Sequence, residues 1–313
     1  MQASVLSNRQ FLPTYYRMSL RVPGLPPAFI PGQFVMLRPS AVGDPFLPRA
    51  FSIMRASRAG GGGRGSGVGA GAKEKRAAGA EIEIVYKALG RGTTLMAALG
   101  RGNTMDVLGP LGHGFRPAPG PTVFVAGGVG VPPIVALAEH LLRRGSRRTA
   151  PPQSKILNPQ SKIRAAPQSS VLSRRPLVLI GGRTKKDVLG VADCRRAGCA
   201  VQVATDDGSV GHHGVVTDLL ETWIAKAGYG NGHGHGGGAP PTSYACGPEG
   251  MLRAVHGIAL RAGLPCQLCL EANMACGFGG CMGCAIPVRG EGMGAYKLCC
   301  KDGPVFEAQE LRW

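Results

Sequence analysis

The sequence predicts a β-barrel plus an α/β region: an antiparallel barrel over 1–117, a parallel sheet with crossover helices over 118–263, and a small cysteine-bearing unit over 264–313. Three observations carry this prediction. Short apolar runs separated by Gly and Pro turns fill the first third, the pattern of a small barrel. Strand-like and helix-like segments then alternate, as they do in a parallel sheet. Four closely spaced cysteines mark the end.

In chain order, YYRMSLRV, QFVMLRP, RAFSIMRA, EIEIVYKAL and TMDVLGPLG supply the barrel strands, with TTLMAAL as a short helix before the last. TVFVAGG, PLVLIGGR, AVQVATDD and TSYACGP then read as sheet strands, and VALAEHLLRR, VTDLLETWI and MLRAVHGIALRAG as helices. Residues 117–138 are uncharged and long enough to span a bilayer. Pro132, Pro133 and three glycines break that stretch, so a strand, a turn and a helix are expected instead of a membrane span.

The net charge of +18 would suit a nucleic-acid partner, but its location argues otherwise. Residues 55–76 hold six Lys or Arg against Glu74, and 143–175 hold nine with no acid; together they carry +14 of the +18. Both are low-complexity, one glycine-rich over about 59–79, the other repeating PQSKI over about 145–175. Such composition cannot bury a core, so both are expected as surface insertions, as is the His/Gly stretch 229–240. No aromatic residues interleave with the charge, and no nucleic-acid partner is expected. The N-terminus lacks a basic start followed by an apolar run, and the cysteines cluster as redox or metal ligands do; a cytoplasmic protein without a membrane anchor is the reading.

Several motifs sit where strands meet helices. Arg49-Ala50-Phe51-Ser52 could meet a flavin: arginine at a pyrophosphate, an aromatic beside the ring, a hydroxyl at its edge. Gly90-Arg91-Gly92-Thr93 opens the short helix, whose N–H groups and dipole favour a phosphate. Gly127, Gly128 and Gly130 follow a strand and permit close approach of a nucleotide at the carboxyl edge of the sheet, although the spacing is not G-x-G-x-x-G. Cys246-Gly247-Pro248 joins a later strand to a helix, and a small polarisable side chain there would fit beside a nicotinamide. As a plain structural feature, Cys246 would be a buried core thiol.

Cys276, Cys281, Cys284 and Cys300 follow C-x4-C-x2-C-x15-C, the plant-type spacing for a 2Fe–2S cluster. Glycines at 277, 279, 280 and 283 let the loop close around a small core. Cys299 adjoins Cys300; as strand neighbours they would face opposite ways, and only one would reach the cluster. Cys266 and Cys269 form a C-x2-C pair without the further ligands a zinc site needs. His233 and His235 fall in a glycine-rich loop expected to be solvated, with adventitious metal binding as the alternative, and His212 and His213 fall in a turn, in either a structural role or a nucleotide contact.

In this order, PFLPRAFSI, GRGTTL, DVLGPLGHGF, VAGGVGVPPI, TDDGSVGHHGVVTDLL, YACGPEGML, LEANMACGFGGCMGC and YKLCCKDGPVF resemble the ferredoxin–NADP reductase superfamily. Within it the chain resembles the electron-transfer subunits of heteromeric, NAD-linked dihydroorotate dehydrogenases, over nearly its whole length outside the insertions. The resemblance implies FAD in the barrel, with Arg49, Phe51 and Ser52 as flavin contacts and Gly90, Gly92 and Thr93 at the FAD phosphates. It implies NAD as acceptor on the α/β region and a 2Fe–2S cluster facing an FMN-containing partner that oxidises dihydroorotate, two copies of each subunit forming a heterotetramer. The Cys-Lys-Asp-Gly-Pro ending selects Cys300 over Cys299. Ala50 departs from the pattern at a side chain expected to alternate away.

The chemistry fits: a cluster moves one electron, a nicotinamide takes a hydride, and a flavin converts between them. Electrons would run from the partner's FMN through the cluster and FAD to NAD in pyrimidine biosynthesis, and no catalytic acid or base is expected on this chain. The same parts would serve a sulfhydrogenase or ferredoxin–NADP transhydrogenase complex, which the copurifying partner would reveal. A regulatory iron–sulfur protein using its basic insertions on nucleic acid is the third reading, and deleting the insertions separates it.

Overall fold

The computed structural model describes residues 1–39, 46–60, 79–148, 175–228, 240–290 and 295–313. Most of the three expected insertions, with His233 and His235, lies outside the described residues.

The first seven strands are β1 (Gln2–Leu12), β2 (Tyr15–Val22), β3 (Phe34–Arg38), β4 (Arg49–Ser52), β5 (Arg55–Arg58), β6 (Ala80–Lys87) and β7 (Thr104–Leu111). They form one antiparallel sheet in the order β4-β3-β7-β1-β2-β6-β5, and β4 curls back against β6. Alternation explains the closure: Met18, Leu20 and Val22 of β2 turn inward to meet Ile82 and Ile84 of β6, while Arg17 and Arg21 stay outside. Helix α1 (Arg91–Ala98) plugs one side through Met96, and Asn8 donates to the carbonyls of Met96 and Leu99 at its end.

Strand β1 is absent from the apolar runs of the sequence because only Ala3 and Val5 of it are fully buried. RAFSIMRA is two strands, broken at Ile53-Met54, both of which enter the core. Arg55 therefore belongs to β5 and not to the basic insertion where its charge was counted.

The second sheet contains β8 (Thr122–Gly127), β9 (Leu177–Gly182), β10 (Ala200–Thr205), β11 (His212–His213), β12 (Thr242–Cys246), β13 (Cys266–Cys269) and β16 (Val305–Glu307). Its order is β11-β10-β9-β8-β12-β13-β16, parallel except for β16. Helices α2 (Val131–Arg148), α3 (Val191–Arg196), α4 (Val216–Lys226) and α5 (Glu249–Ala262) cover its two faces. Strands buried on both faces are continuously apolar, as VFVA and VLI show. Helix α2 runs on to Arg148, into the stretch expected as insertion. His212 and His213 form the edge strand β11 instead of a turn, and His212 Nε2 lies 3.1 Å from Asp218 Oδ2.

The cysteine segment is not a separate layer. It loops out between β13 and β16, both strands of the second sheet, and carries the hairpin β14 (Ala285–Pro287) and β15 (Tyr296–Leu298). Cys299 and Cys300 begin a helical turn, α6 (Cys299–Asp302), and do not sit on a strand as expected. Asp302 accepts from the Leu298 N–H at 2.7 Å, which ties the end of the turn back to the residue before it. Among the described residues no helix is long and apolar enough to cross a membrane.

Arg55 ties the barrel to the second sheet. Its guanidinium reaches Glu83 of β6 at 2.7 Å, Glu139 of α2 at 2.7 Å and Asp193 of α3 at 3.0 Å, and Arg17 joins Asp193 at 2.7 Å. Burial alone would raise the Asp193 carboxyl; hydrogen bonds and charge from Arg17 and Arg55 bring it below its ordinary value instead.

Candidate functional site

A cavity of about 470 Å³ lies between barrel and sheet. Phe51 and Ser52 of β4, Tyr86 and Lys87 of β6, Val129, Cys246 at the end of β12 and Cys269 at the end of β13 all border it. Ala50, expected to face away, borders it too, because β4 is the edge strand of its sheet. Phe51 meets Tyr86 edge-on with centroids 5.9 Å apart, and the Tyr86 hydroxyl donates to Asn8 at 3.0 Å, fixing this aromatic wall.

At one end of that wall Arg49 folds over the start of α1. A Cβ on Gly92 would stand 2.3 Å from the Arg49 guanidinium, so only glycine allows cation and helix N-terminus to share one spot. Arg49 donates to the Leu47 carbonyl, which steadies it there. The Thr93 hydroxyl is occupied within the turn: it accepts from the N–H groups of Leu89 and Gly90 and donates to the Gly90 carbonyl at 3.0 Å. It shapes the loop around Gly90. A guanidinium beside a helix start, leading into an aromatic-walled cavity, fits a flavin with its pyrophosphate at the positive end.

A second cavity, about 590 Å³, opens at the carboxyl edge of the sheet between Gly127-Gly128, Gly181-Gly182, Asp206 and Pro248. This is where open α/β sheets hold nucleotides. Gly130 and Gly247 do not line it; they let the two loops touch. A Cβ on Gly130 would lie 2.3 Å from the Cys246 carbonyl, and one on Gly247 would lie 3.1 Å from the Gly127 nitrogen. The turn after β8 and the Cys-Gly-Pro turn are thus pressed together, with Cys246 toward the first cavity and Gly128 toward the second. Lys87 borders both cavities; it lies 3.7 Å from Asp187 and 5.0 Å from the Tyr15 ring. Burial and Asp187, to which it donates, push the Tyr15 phenol up to about 12. Tyr15, Lys87, Arg183, Asp187 and Asp206 are site residues that no local motif announces.

The four predicted cluster cysteines come together as two pairs. The Cys281 N–H points to Cys276 Sγ at 3.4 Å, and the Cys300 N–H points to Cys284 Sγ at 3.4 Å. Among the described residues no three His, Cys, Asp or Glu side chains surround a single metal point. Two thiol pairs are nevertheless what a two-iron core with four cysteines requires. Desolvation opposes ionisation of Cys276, but N–H groups of Phe278, Cys281 and Gly280 converge on it and bring it to about 6, a ready thiolate. Burial and the Cys284 bond push Cys300 up to about 12. Gly277 and Gly279 adopt left-handed backbone, as does Met282, a departure not expected from the glycine pattern. Cys299 turns away and donates its S–H to the Leu270 carbonyl at 3.7 Å.

The remaining thiols are core residues. Cys266 and Cys269 lie three apart on β13, fully buried in the cores on opposite faces of the sheet, which rules out a shared metal. Cys246 and Cys269 are cross-strand neighbours; their hydrogen bond, then burial, keeps the Cys246 thiol neutral.

Barrel, parallel sheet and the crevice between them define a flavin- and nucleotide-dependent reductase of the ferredoxin–NADP reductase type. Solved structures agree on this fold. An NADH-dependent reduced ferredoxin–NADP oxidoreductase aligns over 99% of this chain and 89% of its own with a TM-score of 0.69 and 21% identity. The ferredoxin reductase of carbazole 1,9a-dioxygenase aligns over 85% of this chain and 66% of its own with a TM-score of 0.59 and 19% identity. Residues 271–312 match the iron–sulfur cluster binding domain of dihydroorotate dehydrogenase B. The dihydroorotate dehydrogenase B (NAD(+)) electron transfer subunit of Caldanaerobacter subterraneus subsp. tengcongensis is 31% identical over 99% of this chain and 98% of its own. That of Geobacillus thermodenitrificans is 32% identical over 98% and 96%. The chain belongs to this family of dihydroorotate dehydrogenase B electron-transfer subunits.

Proposed function

We propose that the chain carries electrons from the FMN of a dihydroorotate-oxidising partner through a 2Fe–2S cluster and FAD to NAD. The observation that carries the reading is the pairing of Cys276 with Cys281 and of Cys284 with Cys300, on a loop held by the sheet that walls the flavin cavity. The relatives' names favour this partner over a sulfhydrogenase or ferredoxin–NADP transhydrogenase complex.

When bound, the cluster supplies one-electron transfer and the flavin converts between single electrons and a hydride. The chain supplies position and charge. Arg49 and the start of α1, opened by Gly90 and Gly92, hold the FAD pyrophosphate; Phe51, Ser52 and Tyr86 wall its ring. Gly127 and Gly128 admit the dinucleotide, while Gly130 and Gly247 keep the turn carrying Cys246 close enough for flavin and nicotinamide to meet. No residue here is required to act on dihydroorotate. Phe278, Met282 and Tyr296 are each more than three-fifths exposed beside the thiols and offer an apolar face to the partner. Two of each subunit form the complex. The functional divisions we assign are 1–117 for FAD, 118–263 for the nucleotide and 264–313 for the cluster.

The purified chain should hold one FAD and one 2Fe–2S cluster and reduce a dye with NADH, and should oxidise dihydroorotate only after its partner is added. A flavin-free chain from anaerobic purification, or a hydrogenase as the copurifying partner, overturns the reading.

A further inference from the structure

Of the cysteines outside the cluster set, Cys246 and Cys269 stand apart. They end the adjacent parallel strands β12 and β13 and are direct partners in register. Such partners point to the same face of a sheet, and both thiols pack into one core there. They are hydrogen-bonded to each other, and both border the 470 Å³ cavity assigned to flavin. The other neighbouring pair, Cys194 and Cys199, is buried beside α3 and borders neither the flavin cavity nor the nucleotide cavity.

We propose that Cys246 and Cys269 form a two-thiolate site for Cu(I), and that the bound ion stops flavin and nicotinamide from meeting. The second half rests on the reading above, in which the turn carrying Cys246 brings the two rings together.

The ligand set selects the ion. Paired thiolates suit soft Cu(I), whereas a structural zinc takes four ligands. Among the described residues no three His, Cys, Asp or Glu side chains surround a single metal point. A further thiol nearby, Cys299, gives its S–H to the Leu270 carbonyl. On binding, two S–H bonds break, two Cu–S bonds form and two protons leave to solvent; copper stays Cu(I) and nothing is oxidised. A coordinating thiol is deprotonated outright, so the neutrality of the free Cys246 thiol does not bar the site. The complex carries one negative charge and meets little opposition. Glu249 is held by Arg253 at 2.7 Å, burial raises the Glu271 carboxyl toward its neutral form, and Lys87 adds a positive charge at the cavity wall.

The test titrates the flavin- and cluster-loaded chain anaerobically with Cu(I) held by a coloured chelator. Copper uptake, iron release and NADH-driven dye reduction are followed together. Wild type should take up copper, lose dye reduction in proportion and release no iron. Removing one arm of a chelate should weaken Cu(I) binding about a hundredfold or more in Cys269→Ser, while Cys199→Ser should match wild type. X-ray absorption of the wild-type copper should show two sulfur neighbours, which tests the site without any variant. A Cys269→Ser affinity within about threefold of wild type, a copper shell without two sulfurs, or iron release that matches copper uptake overturns the site. Full dye reduction with copper bound overturns the block alone. A wild-type chain without flavin overturns the flavin reading and the block together, while copper uptake still decides the site.

Discussion

Gly92 shows how much one missing methyl group can decide. Its backbone is ordinary helix, so alanine there is favourable to the helix by about 0.5–1 kcal/mol. The added Cβ, however, would displace the far end of Arg49, a flexible side chain that can give way. Gly92→Ala should therefore leave thermal stability equal or slightly higher while weakening FAD. Losing a charge-assisted contact worth about 1.5–3 kcal/mol predicts roughly tenfold to hundredfold weaker binding, read by flavin titration of the apoprotein. Opposite movements of stability and affinity are the signature; if both fall together, Arg49 is not the phosphate contact.

The turn between β8 and α2 makes the same point for an element. Gly130 packs on the Cys246 backbone, where neither side can retreat, so Gly130→Ala should cost about 1–3 kcal/mol or more and lower the melting temperature. The lost spacing should also slow hydride transfer from NADH, and unchanged transfer in a folded variant would show that the two turns do not set the flavin–nicotinamide contact. Elements of this kind were readable in the chain because their chemistry is local. The cysteine spacing, the glycines after β8 and the Cys-Gly-Pro turn all announce themselves within a few residues. Lys87 and Asp187 do not, since each matters through cavities whose walls come from distant segments. Helix α6 was hidden for another reason: it is a single turn that begins where β15 ends, too short to leave a periodic pattern. Strand β1 was missed because its pattern is mostly polar, and Arg55 because its charge merged with a low-complexity neighbour.

For the whole molecule, the Arg55 cluster is the clasp between the barrel and the second sheet. Arg55 is itself part-exposed and Arg17 still pairs with Asp193, so Arg55→Met should cost about 1–3 kcal/mol in denaturant unfolding. The pH response follows from Asp193, whose folded value lies below its unfolded one. A depressed carboxyl contributes stability above its unfolded pKa of about 3.9, and that contribution drains away as pH falls through the folded value. Wild-type stability should thus drop below about pH 4, and Arg55→Met should flatten that slope; an unaltered slope would remove Asp193 from the account. The sheet itself has a further consequence. The cysteine loop hangs from β13 and β16, and the same sheet carries Cys246 at the first cavity, so on the proposed reading both redox centres would be bolted to one chassis. Electron tunnelling falls off steeply with distance, and such a mounting would hold the gap between the two carriers constant whatever docked outside. A partner can then govern how often an electron enters, but not how fast it crosses.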